Sequence, residues 1–305
     1  MTKELKGSLM VLIAGCAWGI SGVSGQFLMD QGVSVKLLTS LRLIIAGLVL
    51  TGIVGLSQPQ QLKKIVKDKG TLVGIFIFAI FGLVLNQFAY LQAIRYTNAG
   101  TATVLQYITP VLILAFVCLK NRTRPTLAEV VAIVLAIGGT FVIATHGKLG
   151  SLAITPTGLF WGILSAFTYA AYILIPVRLI QKWGSLAVIG LAMLMGGLVF
   201  PLATQAWQYE VHLSLSTLLA YLGLIGIGTI FAYTVFLKGV SLVGAVKGSL
   251  LASIEPIAAV FFSVILVHET FYAVDIIGMA MIISAVTLVS LRDLLAEKQA
   301  KQVEH

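Results

Sequence analysis

The chain has 305 residues, 59% of them hydrophobic and only 10% charged, with a formal net charge of +9 and a mean hydropathy of +1.03. A soluble domain carries about a quarter of its residues as Asp, Glu, Lys or Arg, so this composition excludes an ordinary water-soluble enzyme. Its hydrophobicity excludes intrinsic disorder as well.

A membrane-crossing helix needs about 20 mostly apolar residues. Ten runs meet that need, near 8–29, 35–57, 71–94, 98–119, 126–145, 156–180, 185–206, 215–237, 242–267 and 270–291. They are continuous and too long for barrel strands. The expected fold is therefore an all-α membrane protein with ten transmembrane helices joined by short connections. Lys3 and Lys6 before an apolar run imitate a signal peptide. That run is long and closes on no small-residue cleavage site, so it reads as a retained first helix. Cys16 and Cys118 fall inside apolar runs and read as small buried hydrophobes.

The basic residues orient the spans. With the N-terminus inside, fifteen of the twenty Lys and Arg face the cytoplasm, among them Lys63, Lys64, Lys67, Lys69, Arg178, Lys182 and Lys238. Only Lys36, Arg95 and Lys148 fall outside, while Arg42 and Lys247 lie within spans. This positive-inside bias predicts a multi-pass plasma-membrane protein with both termini cytoplasmic. The charges are spread over loops, which accounts for the +9 without nucleic acid as a partner.

The sequence also repeats itself. Phe88-Ala89-Tyr90 recurs as Phe231-Ala232-Tyr233, Thr109-Pro110 matches Glu255-Pro256, and Glu129 matches Asp275. Upstream, Trp18 aligns with Tyr169, and Ala46-Gly47-Leu48 with Gly196-Gly197-Leu198. Residues 1–150 and 151–305 then form two repeats of five spans each. An odd number of spans inverts the second repeat relative to the first, and such inverted repeats place a site between the halves near the membrane midplane.

Polar groups at that depth are costly and mark candidate sites. Pro110 and Pro256 each interrupt a span and deprive the carbonyls of Gln106 and Ala252 of their helical donors. They are the candidate hinges. Glu255 is the one acidic side chain so deep in the chain's apolar runs; it can carry a proton, meet a cationic ligand, or serve structurally. Asn86 with Tyr90, and Thr229 with Tyr233, share single helix faces by their spacing of four. Trp18 and Tyr169 lie too far from the span ends for an interfacial belt and, with Tyr172 on the same span as Tyr169, offer an aromatic wall, with core packing as the alternative. Gln106 and Tyr107 complete the candidate cavity. Arg42 and Lys247 are the candidate partners for ion pairing or coupling, although Lys247 is near enough to a span end to snorkel.

No phosphate loop, HExxH, Cys/His metal spacing or paired-aspartate motif occurs. The expectation is a chain that is not an enzyme and holds no cofactor or metal. Its expected partners are the lipid bilayer, a small-molecule substrate and a coupling proton. Monomer and homodimer stay open.

Trp18, Arg42, Ala99-Gly100 opening the fourth span, Glu255-Pro256 and the Val267-His268-Glu269 turn, in this order within ten spans, resemble the EamA-type members of the drug/metabolite transporter superfamily. The resemblance covers about residues 7 to 291. It implies a central cavity lined by spans 1–4 and 6–9, and secondary transport of metabolites, mostly as export. Two positions depart from the family's pattern: Thr109-Pro110 stands where an acid–proline pair is frequent, and His268 where glycine is common. The reading is a secondary active transporter of small metabolites, amino acids or related compounds. A multidrug or quaternary-amine transporter is the alternative, and a non-transporting membrane scaffold is the alternative of another class.

Overall fold

The computed structural model describes residues 3–122, 125–146, 153–211, 213–243, 248 and 251–303. Among them the chain is helical apart from short connections. The first half contains α1 (Lys3–Asp30), α2 (Val35–Ser57), a short α3 (Pro59–Lys67) and α4 (Lys69–Ile77). A π-helical stretch, Phe78–Val84, joins α4 to α5 (Leu85–Tyr96), and α6 (Ala99–Gln106), α7 (Thr109–Asn121) and α8 (Leu127–Thr145) follow. The second half runs through α9 (Pro156–Leu174), α10 (Val177–Trp183), α11 (Ser185–Thr204) and α12 (Leu215–Tyr221). A second π-helical stretch, Leu222–Phe231, leads into α13 (Ala232–Val243), then α14 (Ile254–Val267) and α15 (Ala273–Val303).

Eight helical segments among the described residues are long and apolar enough to cross a membrane. The two remaining expected spans correspond to the shorter apolar helices Ile254–Val267 and Ala273–Leu288. Leu56, Leu119 and Leu127 are each at least 79% exposed, and an apolar surface of this kind suits lipid and not water. α13 continues to Val243, past the expected end near 237, because Lys238 turns its side chain outward and does not interrupt the helix.

Breaks in the helices follow from proline. Pro110 begins α7 after an interruption at Tyr107 and Ile108, and Pro176 separates α9 from α10. The carbonyl of Gln106 receives the hydroxyl of Thr109 at 2.6 Å, a donor that also lies 2.8 Å from the carbonyl of Ala166. The carbonyl of Ala252 receives the hydroxyl of Tyr107 at 3.0 Å. Each carbonyl released by a proline thus has a hydroxyl of the protein within hydrogen-bonding distance, the kind of replacement donor a membrane interior calls for.

Glycine sets close helix contacts. A Cβ on Gly47 of α2 would stand 2.5 Å from the backbone nitrogen of Leu194 in α11, and one on Gly197 would stand 2.8 Å from that of Ile44. Gly47 and Gly197 are counterparts in the sequence repeat, and each meets the residue three positions before the other. The contact is reciprocal. α8 and α15 form another close pair, with Gly139 and Gly278 facing each other's carbonyl oxygens. The Thr126 and Glu129 capping box starts α8, and the His146–Asp275 ion pair, at 2.7 Å, ties its far end to α15.

Gly47→Ala forces two backbones apart, a cost of about 1–3 kcal/mol for overpacking. Gly52, on the same helix, has open space around its Cβ direction, so Gly52→Ala is neutral or stabilising. Thermal unfolding of the detergent-solubilised variants checks the contrast: a lowered Tm for Gly47→Ala alone.

Candidate functional site

A cavity of about 560 Å³ lies between the two halves, within the range of small-molecule sites. The interruption between α6 and α7 supplies Tyr107, with Gln106 and Pro110 on either side of it, and the first turn of α14 supplies Glu255. α5 contributes Asn86 and Tyr90, α2 Arg42 and α1 Trp18; α9 adds Tyr169 and Tyr172, and α13 adds Tyr233. These expected site residues come together in space across two halves that are remote in sequence.

Their polar groups are organised as follows. The hydroxyl of Tyr107 stands 2.9 Å from Oε2 of Glu255 while it also reaches the Ala252 carbonyl. Gln106 donates through Nε2 to Oδ1 of Asn86 at 3.1 Å, and the Tyr90 hydroxyl lies 2.7 Å from that of Thr103. Asn86 and Tyr90 therefore brace α5 against α6 as well as facing the cavity. Trp18 packs edge-on to Tyr233 at 5.6 Å and Tyr169 stacks on Tyr172 at 5.6 Å, giving aromatic walls on both sides.

Arg42 is 6% exposed and Glu255 8%. Among the described residues the ion pairs are His146–Asp275 and Lys182–Asp68. Arg42 and Glu255 belong to neither, so the cavity holds two buried groups of opposite charge that are not paired with each other. Arg42 is aimed by Thr229, whose hydroxyl accepts from its Nε at 2.8 Å and donates to the carbonyl of Leu224 at 2.9 Å.

That arrangement corrects one expectation. Thr229 is fully buried and stands behind Arg42, in the π-helical turn, so it positions the guanidinium and is not part of the cavity wall. Pro256 is likewise buried beside the cavity and not in its lining. Lys247 lies outside the described residues.

Sequence reasoning missed a polar clasp about two turns from Trp18 along α1, on the Asp30 side. Gln26 donates through Nε2 to Glu269 at 2.8 Å and accepts through Oε1 from the amide of Ala99 at 2.8 Å. Asn98 caps α6 through the amide of Thr101 at 2.7 Å and donates to Glu269 at 3.4 Å. The four residues join α1, α6 and the turn after α14. Gln26 was visible as a polar residue in an apolar run, but a partner 243 positions away gave no local signal.

Helices with a lipid-facing apolar surface, two repeats, and an internal cavity holding unpaired charge between aromatic walls define a membrane transporter. The chain belongs to the EamA-like transporter family, which matches residues 5–145 and 156–291, once in each half. It is 39% identical over 294 residues to the uncharacterized inner membrane transporter YicL of Salmonella typhimurium, covering 95% of this chain and 97% of that one. It is 27% identical over 305 residues to the uncharacterized transporter YetK of Bacillus subtilis, covering 94% and 87%. A solved crystal structure with 19% identity superposes with a TM-score of 0.62 over 93% of this chain and 96% of the other, a likeness of fold alone.

Thr229→Val leaves the buried Arg42 Nε without its acceptor, at a cost of about 1–3 kcal/mol, while the Leu224 carbonyl keeps the Ser21 hydroxyl at 3.3 Å. Thermal unfolding is the check: Thr229→Val lowers Tm and Thr229→Ser, which keeps the hydroxyl, restores most of it.

Proposed function

We propose that the protein is a secondary active transporter that exports small metabolites, amino acids or related compounds, across the plasma membrane by alternating access. One observation carries the substrate class. Arg42 and Glu255 face one cavity, buried and unpaired, and an isolated buried charge is costly. A ligand with a carboxylate and an ammonium group meets both charges at once, and the aromatic walls accommodate its apolar part.

Ten helices as two inverted repeats, residues 1–150 and 151–305, are the frame for this movement. The reciprocal contact of Gly47 and Gly197 supports that reading, because a two-fold axis relates equivalent contacts in this way. The π-helical stretches of the third and eighth expected spans are a second matched pair. The positive-inside bias places both termini and α3 in the cytoplasm. The clasp of Gln26, Glu269 and Asn98 is then the outer closure, and Pro110 and Pro256 are the hinges.

A proton is the coupling ion. The Tyr107 hydroxyl has one hydrogen and two acceptors, Glu255 and the Ala252 carbonyl. When Glu255 is ionised, that hydrogen serves the carboxylate. When Glu255 is protonated, the carboxyl donates to Tyr107 and the tyrosine hydrogen serves Ala252. Protonation thereby alters the hydrogen bonding of the carbonyl released by Pro256.

A quaternary-amine or multidrug transporter is the second reading, favoured by Trp18, Tyr169, Tyr172 and Tyr233 around a carboxylate. Thermal-shift screening followed by uptake into proteoliposomes separates the two. Arg42→Gln weakens an amino acid by about 10–100-fold, the value of a hydrogen bond to a charged group, and leaves a quaternary amine unaffected. Glu255→Gln removes the pH dependence of transport while the folded yield is kept. Transport by Glu255→Gln with the wild-type pH profile rejects proton coupling through this residue.

A further inference from the structure

A second built cleft lies away from the central cavity, between α3 and the corner where α10 meets α11. It has a volume of about 450 Å³. Gln58, Gln61 and Lys64, spaced three apart, line it from the α3 side; Lys182, Trp183 and Gly184 line it from the other. The walls are fixed to each other. Gln61 donates through Nε2 to the carbonyl of Trp183. Trp183 donates through Nε1 to the hydroxyl of Thr71 at 3.1 Å. Lys182 pairs with Asp68 at 3.1 Å, its ammonium 4.8 Å from the centre of the Trp183 ring. Two hydrogen bonds from Thr71, together with Lys182, hold the Asp68 carboxyl well below the usual carboxylate range.

Charge in the cleft is not balanced. Asp68 offsets Lys182, but Lys64 is exposed and belongs to neither ion pair, and exposed Lys63, Lys67 and Lys69 add to the positive side. Gly184, at φ +76, brings backbone without a side chain to the rim, with open space where a Cβ would stand. A positive-inside bias accounts for the sign of these charges. It does not account for a cleft braced by three side-chain links.

What adjoins the cleft narrows its ligand. A slot of about 300 Å³ shares Gln58, Trp183 and Gly184 with it and is lined further on by the apolar Val54, Leu186, Ala187 and Leu237, with Ser185, Thr234 and Lys238 beside them. The basic cleft therefore adjoins a slot that is mostly apolar along one wall, the shape of an anion carried on a hydrocarbon chain. α3 itself is amphipathic: Ile65 is buried in the protein, Val66 is 54% exposed, and the lysines lie along the remaining faces. Helices of this kind lie in the membrane interface and favour anionic lipid.

We propose that this cleft binds the phosphate of an anionic phospholipid through Lys64, Lys182 and the Gln58 amide, with an acyl chain in the slot of Val54, Leu186, Ala187 and Leu237. Because Leu237 also lines the central cavity, the chain lies against the cavity's end nearer α3. The proposal needs α3 at the membrane surface and is independent of which substrate is carried.

Native mass spectrometry of the purified full-length protein tests it, with phosphatidylglycerol, phosphatidylcholine or inorganic phosphate added. The expected result is retained phosphatidylglycerol, not displaced by phosphatidylcholine or by millimolar inorganic phosphate. Lys64→Gln with Lys182→Gln lowers its retention about tenfold or more. Lys64→Arg keeps it, as does Lys63→Gln with Lys67→Gln outside the cleft. Should the double variant not fold, Lys64→Gln alone serves, since that exposed side chain makes no ion pair. Equal retention by wild type and Lys64→Gln overturns the site. Displacement of the lipid by inorganic phosphate overturns the lipid as its occupant in favour of a soluble phosphate.

Discussion

A backbone carbonyl that loses its helical donor inside a membrane has to find another within the protein, and the centre of this molecule is arranged around two such carbonyls. Pro110 releases Gln106, and Thr109 answers it from the same break in the helix. Pro256 releases Ala252, and the donor comes from the other half, the hydroxyl of Tyr107. Satisfying that second carbonyl brings the interruption between α6 and α7 to the foot of α14. Glu255 then lies within hydrogen-bonding distance of the same hydroxyl. The acid in the cavity and the kink beside it are consequently one hydrogen-bonded unit.

Around this unit, the helices approach as closely as backbone allows. α2 and α11 touch through Gly47 and Gly197, α8 and α15 through Gly139 and Gly278. With no water to drive apolar faces together, close packing of small residues is what holds membrane helices. The cavity between them has as walls the large aromatic side chains of α1, α9 and α13. Small residues at the tight seams and bulky ones at the centre divide the labour between cohesion and space.

Much of this was legible in the chain. Long apolar runs announced the helices, prolines announced the breaks, and a carboxylate or guanidinium in an apolar run is costly enough to announce a site, as with Glu255 and Arg42. What the one-dimensional pattern did not reveal were partners distant in sequence. Thr229 is four residues from Tyr233 and shares its face in an ideal α-helix, so it was expected in the cavity wall. The π-helical turn changes that register and places Thr229 behind Arg42. The bond of Gln26 to Glu269 was hidden for the same reason as most tertiary contacts: either residue alone is an ordinary polar side chain near a span end. The basic cleft was hidden by its charges, which the topology of the chain already explained.

The turn that seats Thr229 has a consequence for how such a chain can vary. In a π-helical stretch the backbone bonds span one residue more than in an α-helix, and here the Thr229 hydroxyl reaches back the same five positions to Leu224. A single deletion within Leu222–Phe231 can therefore be absorbed by tightening the coil, with both ends of the segment left in place. The membrane crossing survives such a loss, whereas the seat of the guanidinium does not. Length here is a tunable quantity: one residue sets where a charge points, independently of whether the helix spans.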